Sequence, residues 1–339
     1  MEIGGLSFGS VEIDPATGKP ISSAQGIRNL LEAIELADQV GLDYFGVGEH
    51  HQAGMPIPNP GTVLAAAAAR TTRIRLGSSI TVLAADDPVR VYEQFATIDA
   101  LSHGRVEITA GRGAAPEPFT LFGVDLADYD EAFAEKFDLL QQLGRHERLT
   151  WSGHFRPPLD DAAIVPRPEQ HEIPIWLATG GNPNSIIRAA RQHARVFFSD
   201  VGADPARFEP LARLYREASA QAGTPEENVK IGFANVGLIA DASVNAADTW
   251  WPHFDTRSRE MSGRSFPREL YDRQTKQQGS FFTGTPEQIA ERIITLHELI
   301  HHDRHLVEAD FGRLPHAVLL RHIELLGTIV KPLVDAEIE

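Results

Sequence analysis

Gly41-Leu42-Asp43-Tyr44-Phe45-Gly46-Val47-Gly48-Glu49-His50-His51 is the stretch that decides the fold. A glycine ends a helix, a short apolar strand follows, and the strand runs into three titratable side chains. Parallel α/β barrels keep their chemistry where buried strands surface at the C-terminal rim. A histidine there can hold or move a proton near neutrality, because its unperturbed pKa is about 6.5. Neighbouring strand residues point to opposite sides, so one of the two histidines is expected to face the mouth. That argues against a His-His metal pair, and no metal site is expected. The same tripeptide also fits two histidines that only hydrogen-bond at a loop start.

Strand and helix signals alternate on both sides of this stretch. Residues 3–8 read as a first strand. Residues 24–40 read as a helix, with Ile27, Leu30, Leu31, Ile34 and Ala37 at the 3.6 period, Ser22 or Ser23 as cap and Gly41 as stop. Asn59-Pro60 opens a second helix, with proline at its first position. Residues 74–83 read as strand three, 105–110 as strand four and 174–178 as strand five. Further strands are expected at 196–198, within 229–240 and at 306–311. The last helix, 316–330, is expected to stop before Pro332. Helix four (129–143) is followed by a proline-rich excursion over 144–173, and helical segments at 244–261 and 286–301 follow strand seven.

Eight strand–helix cycles result. An open doubly wound sheet would more often carry an early Gly-x-Gly-x-x-Gly turn, and none follows strand one. The expected fold is a single (β/α)8 TIM barrel over residues 1–339, with insertions after strands four and seven. The chain has 339 residues, 42% of them apolar and 23% charged, in keeping with one such soluble domain.

The net charge of −16 makes nucleic acid an improbable partner. The absence of cysteine excludes disulfides, thiolate metal sites and cysteine nucleophiles. The N-terminus lacks a charged region followed by an apolar core, and no run approaches the roughly 20 apolar residues of a membrane span. A cytoplasmic enzyme is the expectation.

Three more segments fall on loops after strands. Gly77-Ser78-Ser79-Ile80 places small residues in mid-strand, which leaves room for close approach, for a bulge or for a larger neighbour. Gly111-Arg112-Gly113 sets a planar cationic fork between two glycines, suited to phosphate or simply solvated. Thr179-Gly180-Gly181-Asn182-Pro183-Asn184-Ser185 leads into a helix whose N-terminus would bind an anion, or is an ordinary capped turn. Together with the histidine they suggest a phosphorylated ligand lying across one rim.

The chain resembles the bacterial luciferase-like flavin monooxygenase family over nearly its whole length. The resemblance is carried by Gly48-Glu49-His50-His51, Asn59-Pro60, Leu76-Gly77-Ser78-Ser79, Asp87-Pro88-Val89-Arg90, Leu101-Ser102-His103-Gly104-Arg105, Gly111-Arg112-Gly113 and Gly284-Thr285-Pro286-Glu287, in this order. It implies a barrel that binds FMN, reduced by a separate flavin reductase, and reacts it with O2 to oxidise a small organic substrate. It implies a catalytic role for His50 and a phosphate grip for Arg112. Gly181 and Ser185 fall on the family's phosphate loop, with Gly180 as the alternative to Gly181. Ser79-Ile80 aligns with a non-proline cis peptide beneath the flavin ring. Gly111 stands where light-emitting members carry a cysteine, which implies a dark oxygenase. Glu49 and His51 carry no assigned role.

Residues 256–278 resemble the family's mobile loop over the site. Six basic residues there (Arg257, Arg259, Arg264, Arg268, Arg273 and Lys276) face three acidic ones. This suggests a lid that closes over an anionic ligand, or a solvated helix surface with paired charges. Phe119, Phe122, Trp250, Trp251 and Phe281 read as an apolar pocket or as core. A homodimer is implied by the family, and the alanine run 65–69 suits close helix packing, either on a second copy or on its own barrel. Two other readings stay open: a deazaflavin-dependent oxidoreductase on the same barrel, and a flavin-binding protein without catalysis.

Overall fold

The structure is a computed structural model that describes residues 1–113, 116–200, 202, 204–308 and 310–338. Its eight parallel strands are β1 (Glu2–Ser7), β2 (Tyr44–Val47), β3 (Arg75–Ser78), β4 (Val106–Gly111), β5 (Ile175–Thr179), β6 (Arg195–Asp200), β7 (Ile231–Val236) and β8 (Arg304–Glu308). Each pairs with the next, and β8 pairs with β1, Leu6 lying opposite Glu308. The contact between β3 and β4 is short, Leu76 opposite Val106 and Gly77 opposite Glu107. The sheet is thus a closed TIM barrel.

The helices begin where side chains can take up their first N–H groups. α1 (Ser23–Gln39) is capped by Ser22, whose hydroxyl accepts the Gln25 N–H, and Gly41 follows it at φ +83°. α2 (Pro60–Ala68) is capped by Asn59, and α3 (Pro88–Ser102) by Asp87. α4 (Tyr129–Arg145), α5 (Pro183–Arg191) and α6 (Glu209–Gln221) follow strands four to six. α7 (Pro286–Ile300) carries a capping box between Thr285 and Gln288, and α8 (His316–Leu325) closes the ring. Apolar faces such as Leu30, Ala33, Ile34 and Ala37 of α1 bury against the strands. Inside the barrel, Leu6, Tyr44, Trp176, Phe197, Ala234 and Leu306 form their own cluster.

Two expectations, on strand three and on the last helix, need correction. Strand three does not run unbroken from 74 to 83. A cis peptide at Ser79-Ile80 divides β3 from the short Thr81–Val82 strand. There the backbone turns to β2's exit: Ser79 N–H donates to Val47 O, and Glu49 N–H donates to Ile80 O. The excursion 144–173 contains an antiparallel hairpin, Arg148–Trp151 with Leu159–Ala163. The last helix does not stop before Pro332. A π turn, Leu326–Val330, widens it, and Pro332 then lies in the first turn of Lys331–Glu337, where its missing N–H costs little.

The expected insertion after β7 holds two helices, Ala246–Ser262 and Arg268–Gln274, and the loop after β4 holds the short helix Glu117–Phe122. Of the alanine run, Ala67 and Ala68 are buried in the chain's own core. Phe119, Trp250 and Phe281 are core as well, whereas Phe122 is exposed. Among the described residues no helix is long and apolar enough to cross a membrane, and no cluster of potential metal ligands occurs.

Candidate active site

At the C-terminal ends of the strands lies a cavity of ≈ 380 Å³. Its walls combine Glu49, His50 and His51 after β2, Ser79, Ile80 and Val82 after β3, Gly111 to Gly113 after β4, and Thr179 and Gly180 after β5. Leu6, Phe8 and Phe197 supply much of its apolar lining.

Both histidines line it, contrary to the expectation that alternation would turn one away. β2 ends at Val47, so residues 48–51 no longer alternate as a strand. The His50 ring lies 4.6 Å from the Phe8 ring, and its N–H on the main chain donates to Ile57 O at 3.0 Å. Nδ1 of His50 is buried and has no hydrogen-bond partner among the described residues. Burial and the nearby positive charge of Arg257 push the imidazole down to about 4, against a smaller opposing pull from Glu117. His50 is therefore a neutral ring at physiological pH.

Glu49 ties two loops together. One oxygen lies 3.0 Å from His51 Nε2, and the other accepts the Val82 N–H at 2.8 Å. Burial pushes its carboxyl up, against the hydrogen bonds from His51 and Val82. Sequence reasoning quoted Glu49 but missed this link, because Val82 lies more than thirty residues away.

Ser79-Ile80 is a cis peptide, as the resemblance implied, and both residues reach the cavity. The bare backbone of Gly111 lies against the end of the Ile80 side chain, which would have to shift to admit a Cβ there. Arg112 forms an ion pair with Asp130 at the start of α4, and its guanidinium lies 5.2 Å over the Tyr129 ring. Among the described residues it is the one Arg or Lys side chain on this cavity's wall.

The loop after β5 enters only in part. Gly180 lines the cavity, but Gly181 and Ser185 do not. The N–H groups of Gly181 and Asn182 both donate to Thr179 Oγ1, at 3.2 and 3.1 Å. Ser185 is buried in the first turn of α5. Arg188 lies one helical turn beyond Ser185 and outside this cavity's lining. Burial and the like charge of Arg112 lower its pKa, while Asp130 acts in the opposite sense.

The segment 256–278 divides by exposure. Arg259, Arg264, Arg268, Arg273 and Lys276 face solvent, with Arg259 held by Asp255 and Arg268 by Asp248 and Asp272. Arg257 is buried and turns toward Gln52 Oε1 (3.4 Å) and Met55 Sδ (3.5 Å). Gln52 in turn donates to Glu117 at 2.9 Å. These contacts join the segment to the histidine loop.

Chemically, the site offers a cation beside glycine-lined backbone, a strip of apolar wall and two imidazoles in different electrostatic settings. That suits an elongated anionic ligand with a flat apolar part.

A model of a family described as luciferase-like monooxygenase matches residues 1–303. A Sinorhizobium fredii protein without an assigned activity is 25% identical over 346 residues, covering 97% of this chain and 98% of the relative. The 4-hydroxyprotoasukamycin monooxygenase of Streptomyces nodosus is 38% identical over 226 residues, covering 64% of this chain and 60% of that enzyme. An F420-dependent glucose-6-phosphate dehydrogenase of Amycolatopsis mediterranei is 33% identical over 165 residues, covering 46% and 49%. Among solved structures, the oxygenating constituent of 3,6-diketocamphane monooxygenase from Pseudomonas putida, in complex with FMN, superposes with a TM-score of 0.76 at 20% identity, covering 98% of each chain.

Proposed function

The chain belongs to the luciferase-like monooxygenase family, an oxidoreductase family, and on that premise we propose that it is an FMN-dependent monooxygenase. In this reading a separate flavin reductase supplies reduced FMN, and a small organic molecule is oxidised with O2. The observation that carries the reading is that Arg112, Gly111, the Ser79-Ile80 peptide and His50 share one cavity.

These residues fit the cofactor in chemical kind. Arg112 and the Gly180 backbone would take the phosphate, with the loop of Gly181 and Ser185 following in sequence. Ile80, Val82 and the bare Gly111 backbone would take the flat ring. The reduced flavin, when bound, supplies the reaction with O2. The protein's part is to orient it, exclude water and manage protons. His50 stays neutral there, so it acts as a hydrogen-bonding and proton-accepting imidazole through its unpartnered Nδ1. The segment 256–278 serves as the lid, and the active form is a homodimer.

A second reading is favoured by the F420-dependent dehydrogenase among the relatives: the same cavity would hold a reduced deazaflavin and transfer hydride without O2. Anaerobic titration of the cofactor-free chain with reduced FMN and with reduced F420, followed by exposure to O2, decides. Tight FMN binding with O2-dependent substrate oxidation is expected. Preference for F420 with no O2 consumption would replace the first reading with the second. Binding without turnover across a substrate panel would leave a flavin carrier.

A further inference from the structure

Gly180 lines the cavity where an anionic group would lie, and a backbone carbonyl oxygen carries the wrong partial charge for such a neighbour. Here that oxygen is already taken. Arg207, in the turn Pro205–Phe208 after β6, donates from Nη2 to Gly180 O at 3.0 Å. The N–H of the same peptide, on Gly181, donates to Thr179 Oγ1 at 3.2 Å. Both polar groups of this trans peptide are therefore held, from opposite directions. The Arg207 guanidinium lies 4.6 Å from the centre of the buried Phe208 ring, and Phe208 and Leu211 close on Gly181 from the side of α6. Asp200, its acidic neighbour, stands at 4.0 Å, beyond hydrogen-bond distance. The side chain is 45% exposed, so its charge reaches solvent as well as the loop. A phosphate monoester carries about −1.5 to −2 at neutral pH. Arg112, on the opposite wall, is already balanced in part by Asp130. One half-committed arginine leaves such a group undercompensated.

We propose that Arg207 is a positioning residue for the phosphate end of the ligand. It acts through Gly180: it keeps the carbonyl oxygen on its own guanidinium and brings a second positive charge to that end of the cavity. The role rests on the flavin reading above. It is electrostatic and moves neither proton nor electron. Thr179 Oγ1 completes the arrangement by holding the Gly181 N–H, so this peptide plane is set before anything binds. Ordering the loop in advance removes a cost that binding would otherwise carry.

The test compares the Kd for FMN with that for riboflavin, which lacks the phosphate, by fluorescence quenching on the full chain. Two variants separate charge from shape. Arg207→Gln can still donate to Gly180 O but carries no charge, and Arg207→Lys keeps the charge without the planar fork. The parental chain should bind FMN more tightly than riboflavin. Arg207→Gln should weaken FMN by about fivefold and riboflavin by less than about twofold. Arg207→Lys should recover most of the FMN affinity. The deficit of Arg207→Gln should shrink between about 20 and 500 mM NaCl, as the Debye length falls from roughly 20 Å to roughly 4 Å. Equal losses for both flavins, or an FMN loss that neither lysine nor salt relieves, would make Arg207 a packing residue and overturn the proposal. Unchanged FMN binding in Arg207→Gln would overturn it too. If Arg207→Gln does not fold, Arg207→Ser takes its place with the same expectations. A parental chain that binds neither flavin would overturn the flavin reading and this role with it. FMN-selective binding that the Arg207 variants leave unaltered would overturn this role alone.

Discussion

The Arg304 guanidinium and the Glu107 carboxylate meet inside the barrel through two contacts of 2.7 and 3.1 Å, each side chain only 1% exposed. Arg75 and the Trp176 indole N–H complete the carboxylate's partners, and Arg304 lies 4.0 Å from the centre of the Tyr44 ring. Burial by itself would raise the Glu107 pKa, but Arg304 and then Arg75 outweigh it and leave the carboxyl at about 2.

Removing one partner of such a pair leaves the other charge buried and uncompensated. Glu107→Ala should cost about 3–5 kcal/mol in urea unfolding. The sign of the pH effect follows from the depressed pKa. Above about 4.5 the Glu107 contribution is fully present, and it fades as pH falls toward about 2. A Glu107→Ala protein should therefore lose the part of its acid sensitivity that lies in this window. Identical acid-unfolding curves for the two proteins would contradict the assignment.

His50 should titrate near pH 4 by NMR. Its folded pKa lies below the unfolded value of about 6.5, so the unfolded chain takes up the proton first and stability falls from pH 6.5 toward 4. Arg257→Met removes a repelling positive charge and should move the His50 midpoint upward. A downward shift would show that the two groups are not in electrostatic contact.

Asp130 competes with any phosphate for Arg112. Asp130→Asn should tighten FMN and leave riboflavin, which has no phosphate, unchanged. Arg112→Ala should weaken FMN by about 10–100-fold, the value of one or two charge-assisted hydrogen bonds. Equal effects on FMN and riboflavin would place the phosphate elsewhere.

The lid reading predicts that FMN, or FMN with substrate, slows protease cleavage within 256–278. Cleavage at the same rate with and without ligand would leave those residues as a solvated surface, consistent with the paired Arg259 and Arg268.

The barrel was legible in the sequence because its signals are local. Helix periodicity, Asn59-Pro60 and Asp87-Pro88 mark elements within a few residues, and these two caps occur in the structure. The break at Ser79-Ile80 could be placed only through the family resemblance, since small residues in a strand also fit plain packing. Contacts between distant segments were not legible. Nothing local to Glu49 announces Val82, nothing near Arg112 announces Asp130, and only folding separates Arg257 from the exposed cations around it. The turn at Pro332 was misread because a proline ends most helices, whereas a π turn here prepares a place for it.

The side chains of Arg304, Glu107, Tyr44 and Trp176 form a layer in which each is almost wholly buried. It stoppers the barrel beneath the cavity, so the described residues leave the rim as the doorway for whatever binds. Under the proposed function, a spent ligand and its replacement would share that one opening.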